Sequence, residues 1–178
     1  MHEKRSIPVL YSAQEIAERV ESLAAELASQ MPQEFLMVSL LRGSFMFTAD
    51  LARALSGMGI HPRLDFMTLT SYGSATESSG TVTISRDISE EVKGLSVLII
   101  DDILETGRTL GFAVNLLQSR GASSIKSAVL LEKPGKRAVD IRADFVGFTV
   151  PDKFVVGYGL DYANHYRELP FIGYLDVH

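Results

Sequence analysis

The fold of this chain is constrained most by residues 96–117, where an apolar run, a short acidic loop and a helical pattern follow one another. Residues 97–100 form an unbroken apolar run rich in β-branched side chains, which is typical of a strand buried on both faces of a parallel sheet. Two carboxylates follow at the expected end of this strand. A Thr-Gly-Arg-Thr turn then precedes apolar residues at helical spacing. Because the first N–H groups of a helix have no partner within it, this arrangement predicts a phosphate site at the carboxyl edge of a sheet.

Three carboxylates in this loop narrow the ligand further: Asp101, Asp102 and Glu105. A site for phosphate alone would avoid them, because like charges repel. They suit sugar hydroxyls, which donate hydrogen bonds to carboxylates, a divalent cation, or developing positive charge. A sugar phosphate whose ring becomes cationic in the transition state meets all three demands.

Residues 96–110 resemble the phosphoribosyl-pyrophosphate (PRPP) motif of the type I phosphoribosyltransferases. That motif is a hydrophobic strand, two acidic residues, two mostly apolar residues, an acidic residue, then Thr-Gly and a Thr or Ser. The resemblance implies an α/β fold, with a central, mostly parallel twisted sheet flanked by helices and a small hood over the carboxyl edge. The chain departs from the usual pattern at two positions, with Asp101 in place of Glu and Glu105 in place of Asp.

The resemblance also implies roles for the motif residues. Asp101 and Asp102 would hold the ribose 2′- and 3′-hydroxyls, and Glu105 would take the proton from N7 of the base as N9 attacks C1′. The 5′-phosphate would be held by the turn that follows: Thr106, Gly107, Arg108 and Thr109. The extra methylene of Glu105 moves its carboxylate by roughly one bond length, and catalysis is sensitive to displacements of about 1 Å.

A second loop, Leu41-Arg42-Gly43-Ser44, lies between a predicted strand at 35–41 and a predicted helix from Phe45. Alone, it indicates an exposed arginine in a tight turn. A glycine after a basic residue at a strand end can also let backbone N–H groups close on an anion. The matching loop of purine phosphoribosyltransferases binds pyrophosphate, usually with Lys in place of Arg42, and contains a non-proline cis peptide. We expect Arg42 and Gly43 to keep that role, because arginine retains the charge.

Residues 71–80 are small, polar and glycine-rich, between predicted strands at 63–70 and 81–86. They predict a flexible hairpin tip. Ser71-Tyr72-Gly73 also matches the mobile loop that closes over the active site in hypoxanthine-type phosphoribosyltransferases. A lid is chemically expected because a cationic sugar intermediate is vulnerable to water. Ser71 and Tyr72 are therefore predicted to contact PRPP.

Residues 144–162 resemble the hypoxanthine-guanine phosphoribosyltransferases almost residue for residue. By spacing alone Phe154 would be a core residue, and the basic run at 132–137 a solvated loop. The resemblance instead implies a purine site. There Lys133 bonds the 6-oxygen, Phe154 stacks on the base, and main-chain groups of Val155 and Asp161 read its edge. Arg167 would reach the pyrophosphate. Magnesium would neutralise the pyrophosphate, with these predicted ligands: Asp101, Asp102 and Asp161.

Composition sets the remaining expectations. At 178 residues the chain predicts one domain, 1–178, with the hood formed by the N-terminal segment and roughly residues 150–178. The net charge of −5 gives no support for a nucleic-acid surface, and no apolar run is long enough to span a bilayer. The absence of cysteine fits a cytoplasmic protein. The family resemblance implies a homodimer or homotetramer.

Purine salvage is the predicted function: PRPP and hypoxanthine, guanine or both would give the nucleoside 5′-monophosphate and pyrophosphate. The preference among hypoxanthine, guanine and xanthine stays open, because recognition at C2 rests on main-chain carbonyls. The alternative is a PRPP- or nucleotide-sensing RNA-binding regulator, since the same fold occurs in the pyrimidine-operon attenuators. Lys133 and residues 154–167 favour the enzyme, and RNA binding would need a basic face that an acidic chain does not indicate.

Overall fold

The computed structural model describes residues 7–74 and 77–176, and the side chains within these ranges except those of 72–80. In chain order the described elements are β1 (Val9–Tyr11), α1 (Ala13–Gln30), β2 (Leu36–Leu41), α2 (Phe45–Gly57), β3 (Arg63–Ser74), β4 (Glu77–Arg86), β5 (Ser96–Leu104), α3 (Arg108–Ser119), β6 (Ser124–Glu132), β7 (Phe145–Thr149), β8 (Phe154–Val156) and β9 (Ile172–Leu175). No helix in these ranges is both long and apolar enough to cross a bilayer.

Six strands form the main sheet, in the order β4-β3-β2-β5-β6-β7. Neighbouring strands pair in parallel except β3 and β4, which are antiparallel. Alternate residues of β5 enter different layers of the core. Leu98 and Ile100 pack with the cluster that includes α1 and α2, whereas Val97 and Ile99 pack with the cluster that includes α3. The predicted α/β fold, with a mostly parallel sheet between helices, is confirmed.

Helix α1 begins at a capping box, in which the Ser12 hydroxyl accepts from the N–H of Glu15 at 3.1 Å. The Glu15 carboxylate in turn accepts from the N–H of Ser12 at 2.8 Å. The apolar stripe of α1 is buried and consists of Ile16, Val20, Leu23, Ala24 and Leu27. The helix therefore starts and faces inward as local sequence dictates, and it covers one face of the sheet.

Strands from the two ends of the chain form a second, antiparallel sheet, in the order β1-β9-β8. The segment that follows β8 reaches the main sheet at its carboxyl edge. Gly159 has a φ of +101°, and its Cα lies so close to the carbonyl of Gly43 that a side chain would not fit. This contact places the small sheet beside the loop that follows β2.

Two predicted boundaries are wrong. Strand β5 does not end before the carboxylates but continues to Leu104, because Asp101, Ile103 and Leu104 keep their pairing with β6. Residues 71–74 and 77–80, predicted as a hairpin tip, belong to β3 and β4, which pair as far as Ser74 opposite Glu77. In both cases backbone pairing with a neighbouring strand overrides the local preference of polar and glycine residues.

Candidate active site

The candidate site lies where β2 and β5 separate. These strands pair only as far as Ser39 opposite Ile100, whereas β5 stays paired with β6 as far as Leu104. The order of the strands also reverses here, since β2 is followed by β3 on one side and β5 by β6 on the other. Ligands of open α/β sheets bind at the carboxyl ends of the strands at such a point. The acidic end of β5 is therefore exposed to a cleft.

Asp101 and Asp102 occupy this end of β5, Asp101 buried and Asp102 half-buried. The Asp101 carboxylate accepts from the N–H of Asp102 at 2.9 Å, and that of Asp102 from the N–H of Ile103 at 2.7 Å. Burial raises the pKa of Asp101 well above its ordinary value, and the charge of Asp102 raises it further. Burial also raises the pKa of Asp102. Two such carboxyls suit a ligand that donates hydrogen bonds, such as a diol.

The loop after β2 closes against Asp102. A Cβ atom on Gly43 would lie 2.7 Å from Cγ of Asp102 and closer still to its Oδ2, so only glycine fits. Below the loop, the Ser39 hydroxyl lies 2.8 Å from those of both Ser44 and Thr48. The peptide bond between Leu41 and Arg42 is cis, as the resemblance implied. These contacts hold the loop at a fixed distance from the β5 carboxylates.

One compartment of the cleft, of about 270 Å³, lies between this loop and the turn after β5. Of the predicted PRPP-binding residues, it is lined by Arg42, Gly43, Asp101, Asp102, Thr106, Gly107 and Thr109. Arg108 does not line it. Gly107 has a φ of +82° and is the N-cap of α3, which has no side-chain cap. The start of the helix therefore presents N–H groups to the cleft, as an anion requires.

A second compartment, of about 560 Å³, is lined, like the first, by Asp102 and Glu105. It is lined by all four residues predicted for the purine: Lys133, Phe154, Val155 and Asp161. Phe154 is 41% exposed, so the structure contradicts a core role. Its ring meets that of Tyr162 edge-to-face, with centroids 5.4 Å apart. An exposed aromatic ring at the wall of a cleft suits a flat, aromatic ligand.

Four charged groups meet beside this compartment. The buried Lys133 ammonium lies 3.6 Å from Oε1 of Glu105 and 4.0 Å from Oδ1 of Asp152. Both distances exceed a hydrogen bond, so Lys133 can donate to a ligand. The exposed Lys136 ammonium lies 3.6 Å from the same oxygen of Glu105 and 2.8 Å from Oδ1 of Asp152. The hydrogen bond from Lys136 lowers the pKa of Asp152.

Arg167 is engaged within the protein. Its guanidinium donates to the carbonyl of Gly159 at 2.7 Å and pairs with the Asp161 carboxylate at 2.9 Å. Asp161 also accepts from the N–H of Asn164 at 2.7 Å. Arg167 lines neither compartment of the cleft. In this state it orders the segment after β8, and it must leave Asp161 if it is to reach a pyrophosphate.

The three predicted magnesium ligands are not assembled into one cluster. Among the described residues, no group of three carboxylate, histidine or cysteine side chains is arranged to hold a metal ion. Asp102 lines both compartments, Asp101 only the first and Asp161 only the second. The donors present still fit magnesium in one respect, because this ion is usually held by one or two carboxylates together with substrate phosphates.

Ser71 and Tyr72, predicted for a lid, lie on β3 opposite Val82 and Thr81 of β4. Leu69 of the same strand lines the first compartment, and Ser71 does not. The side chain of Tyr72 and residues 75–76 lie outside the described part of the chain. The structure therefore places the hairpin at the edge of the cleft without bringing Ser71 into it.

Sequence reasoning missed three contributors to the site. Lys136 and Asp152 line the second compartment. Arg137 donates to the backbone carbonyl of Glu105 at 2.8 Å and thereby braces the acidic loop. The basic run at 132–137 and the Asp before Lys153 were the available signals, but which charge meets which depends on how β6 and β8 are placed.

A phosphoribosyl transferase domain matches residues 9–163 of the chain. The match includes every residue named above as lining the two compartments. The chain therefore belongs to the phosphoribosyltransferase family.

Several proteins similar to the chain are named as hypoxanthine or hypoxanthine-guanine phosphoribosyltransferases. The chain is 49% identical to the hypoxanthine-guanine phosphoribosyltransferase of Bacillus subtilis (strain 168), over 94% of this chain and 92% of the relative. It is 40% identical to the hypoxanthine phosphoribosyltransferase of Escherichia coli (strain K12), over 96% of each. A crystal structure of a hypoxanthine phosphoribosyltransferase from Staphylococcus aureus superposes with a TM-score of 0.89 at 42% identity, covering 97% of this chain and 96% of the other. The chain thus falls in the hypoxanthine-guanine phosphoribosyltransferase group.

Proposed function

We propose that this protein is a purine-salvage enzyme, which transfers the 5-phosphoribosyl group of PRPP to hypoxanthine, guanine or both. The products are inosine or guanosine 5′-monophosphate and pyrophosphate. The single observation that carries the proposal is that Asp102 and Glu105 line both compartments. One compartment suits a ribose phosphate, the other suits a flat base, and C1′ would lie between them.

Recognition of PRPP rests on the first compartment. Asp101 and Asp102 accept from the ribose hydroxyls, and the turn at 106–109 with the start of α3 holds the 5′-phosphate. Burial raises the pKa of both carboxyls, and ionising both would place two like charges side by side. Hydroxyl groups that donate hydrogen bonds to them would stabilise the charged forms. Arg42 and Gly43 hold the pyrophosphate as it leaves, and Ser71 and Tyr72 approach when the hairpin closes.

The chemical step takes place where the compartments meet. N9 of the base attacks C1′ as the bond from C1′ to the pyrophosphate oxygen breaks, and the proton on N7 passes to the Glu105 carboxylate. Lys133 donates to the 6-oxygen, Phe154 stacks on the base, and backbone groups of Val155 and Asp161 contact its edge. Arg167 approaches the pyrophosphate after releasing Asp161.

Magnesium belongs to the proposal as a partner of PRPP. The ion would arrive with the pyrophosphate oxygens, and one or two of the predicted carboxylates, those of Asp101, Asp102 and Asp161, would hold it. When bound, it neutralises charge on the leaving group. We further propose that the chain works as one domain, with β1, β8 and β9 as the hood, in the cytoplasm and as a homodimer or homotetramer.

The RNA-binding regulator is not supported by the comparisons, since the relatives reported above are named as phosphoribosyltransferases over nearly the full chain. Steady-state kinetics test the enzyme directly. Each of hypoxanthine, guanine and xanthine is supplied with PRPP and magnesium, and nucleotide and pyrophosphate are measured. We expect equal amounts of both products from at least one 6-oxopurine. Failure of all three bases, together with tight, salt-sensitive RNA binding, would contradict the proposal.

A further inference from the structure

Position 105 has glutamate where the family usually has aspartate, and two lysines lie beside its carboxylate. Glu105 leaves the end of β5 with one methylene more than aspartate, so its carboxylate reaches further across the second compartment. Its Oε1 lies 3.6 Å from each of two ammonium groups, those of Lys133 and Lys136. The carboxylate therefore sits between two cations, one buried and one exposed.

Lys136 is itself held in place from the opposite wall. Its ammonium donates to Oδ1 of Asp152 at 2.8 Å, and Asp152 precedes β8, which supplies Phe154. The pair thus bridges the turn after β6 and the start of β8 across the cleft. The Lys136 ammonium is within 4 Å of the carboxylates of both Asp152 and Glu105, so the bridge also extends to Glu105.

We propose that Lys136, anchored by Asp152, is a positioning residue that fixes the longer Glu105 side chain for proton transfer. At 3.6 Å neither ammonium makes a hydrogen bond to Oε1 of Glu105, but the charges of both attract it and favour the rotamers that keep the carboxylate beside them. A catalytic carboxylate acts only from a narrow range of positions. Lys133 donates to the base and so cannot by itself hold Glu105 throughout the reaction. Lys136 has no proposed contact with the base, so it can hold Glu105 in each step.

The pair has no evident role in stability. The side chains of Lys136 and Asp152 are 52% and 61% exposed. Ion pairs so open to water contribute little to folding. Loss of Lys136 should therefore leave the melting temperature almost unchanged, and any loss of turnover then reports on the site.

The test is a double-mutant cycle on turnover, and it rests on the proposed function of Glu105. Lys136→Met removes the charge and keeps the apolar stem. We expect kcat to fall about tenfold, with the KM for PRPP changed less than about twofold, because a catalytic group is misplaced while PRPP binding is not touched. Lys136→Arg should restore most of the loss. Lys126→Met, which removes a lysine at the far end of β6, should leave turnover unchanged.

The decisive arm repeats Lys136→Met in a Glu105→Asp background. An aspartate is one methylene shorter and should lie farther from Lys136 than the 3.6 Å of Glu105, so the second loss of kcat should shrink to less than about threefold. The same tenfold loss in both backgrounds would overturn the proposal, as would a Lys136→Met effect that appears in the KM for PRPP or in the melting temperature. Glu105→Gln separates the two hypotheses: if it leaves turnover intact, the role of Glu105 fails irrespective of Lys136.

Discussion

The contact between Gly43 and Asp102 gives the sharpest prediction about the site. A Cβ atom on Gly43 would lie 2.7 Å from Cγ of Asp102, whereas carbon atoms in ordinary contact are about 3.5–4 Å apart. In Gly43→Ala, either the loop or the carboxylate must therefore move by about 1 Å. The end of a side chain moves more easily than a loop held by Ser39, Ser44 and Thr48. We expect Asp102 to turn away from its position.

The consequence should be large for activity and moderate for stability. Misplacing a binding group by about 1 Å costs about 100-fold in kcat/KM, whereas overpacking costs about 1–3 kcal/mol of unfolding free energy. The measurements are kcat/KM for PRPP at saturating hypoxanthine, and urea unfolding for stability. Gly57→Ala is the matched control: a Cβ there meets nothing within 4 Å, and alanine at the end of α2 should preserve activity and stability.

Retention of kcat/KM within about threefold in Gly43→Ala, with the fold intact, would refute the reasoning, because the carboxylate would then tolerate a shift that a ribose-binding group cannot. If Gly43→Ala does not fold, the loop that carries residue 43, and not the Asp102 side chain, is the part that has to move to relieve the clash. A crystal structure of the variant distinguishes these outcomes by the position of the Asp102 side chain.

Three further predictions concern individual side chains. Glu105→Gln should lower kcat by about 10²–10⁴-fold in steady-state assays with the KM for PRPP nearly unchanged, because the shape is kept and the base is lost; unchanged turnover would exclude Glu105 from the chemistry. Lys133→Met should raise the KM for hypoxanthine about 10–100-fold, the value of a charge-assisted hydrogen bond, and an equal rise for PRPP would contradict its assignment to the base. Asp101→Asn should stabilise the ligand-free protein, and thermal melting should show the gain growing as pH rises above the ordinary carboxyl range. Because burial raises the pKa of Asp101, the folded wild type holds this proton more tightly than the unfolded chain does. Its free energy of unfolding therefore falls as pH rises from the ordinary carboxyl range through the raised pKa, whereas asparagine at this position does not titrate. If the gain in melting temperature of Asp101→Asn is the same at every pH, the titration of Asp101 is not what lowers the stability of the wild type.

Much of the fold was determined by local sequence. The apolar run at 97–100 and the pattern after residue 107 predicted β5 and α3, and the capping residues Ser12 and Glu15 fixed the start of α1. These signals are local, since each depends on periodicity or on a hydrogen bond within a few residues. The acidic end of β5 could be found for the same reason, because the motif is contiguous. The cis peptide at Leu41 and the purine residues came from resemblance, and spacing alone would have placed Phe154 in the core.

The tertiary structure decided the rest. Only pairing with β6 extends β5 through Asp101 to Leu104, and only pairing between β3 and β4 turns a glycine-rich stretch into strands. The need for glycine at position 43 arises from Asp102, a residue distant in sequence that approaches from the next strand. The charge cluster of Glu105, Lys133, Lys136 and Asp152 likewise joins three separate segments. Interactions between segments distant in sequence depend on how the sheet brings them together, and a local pattern does not contain that distance.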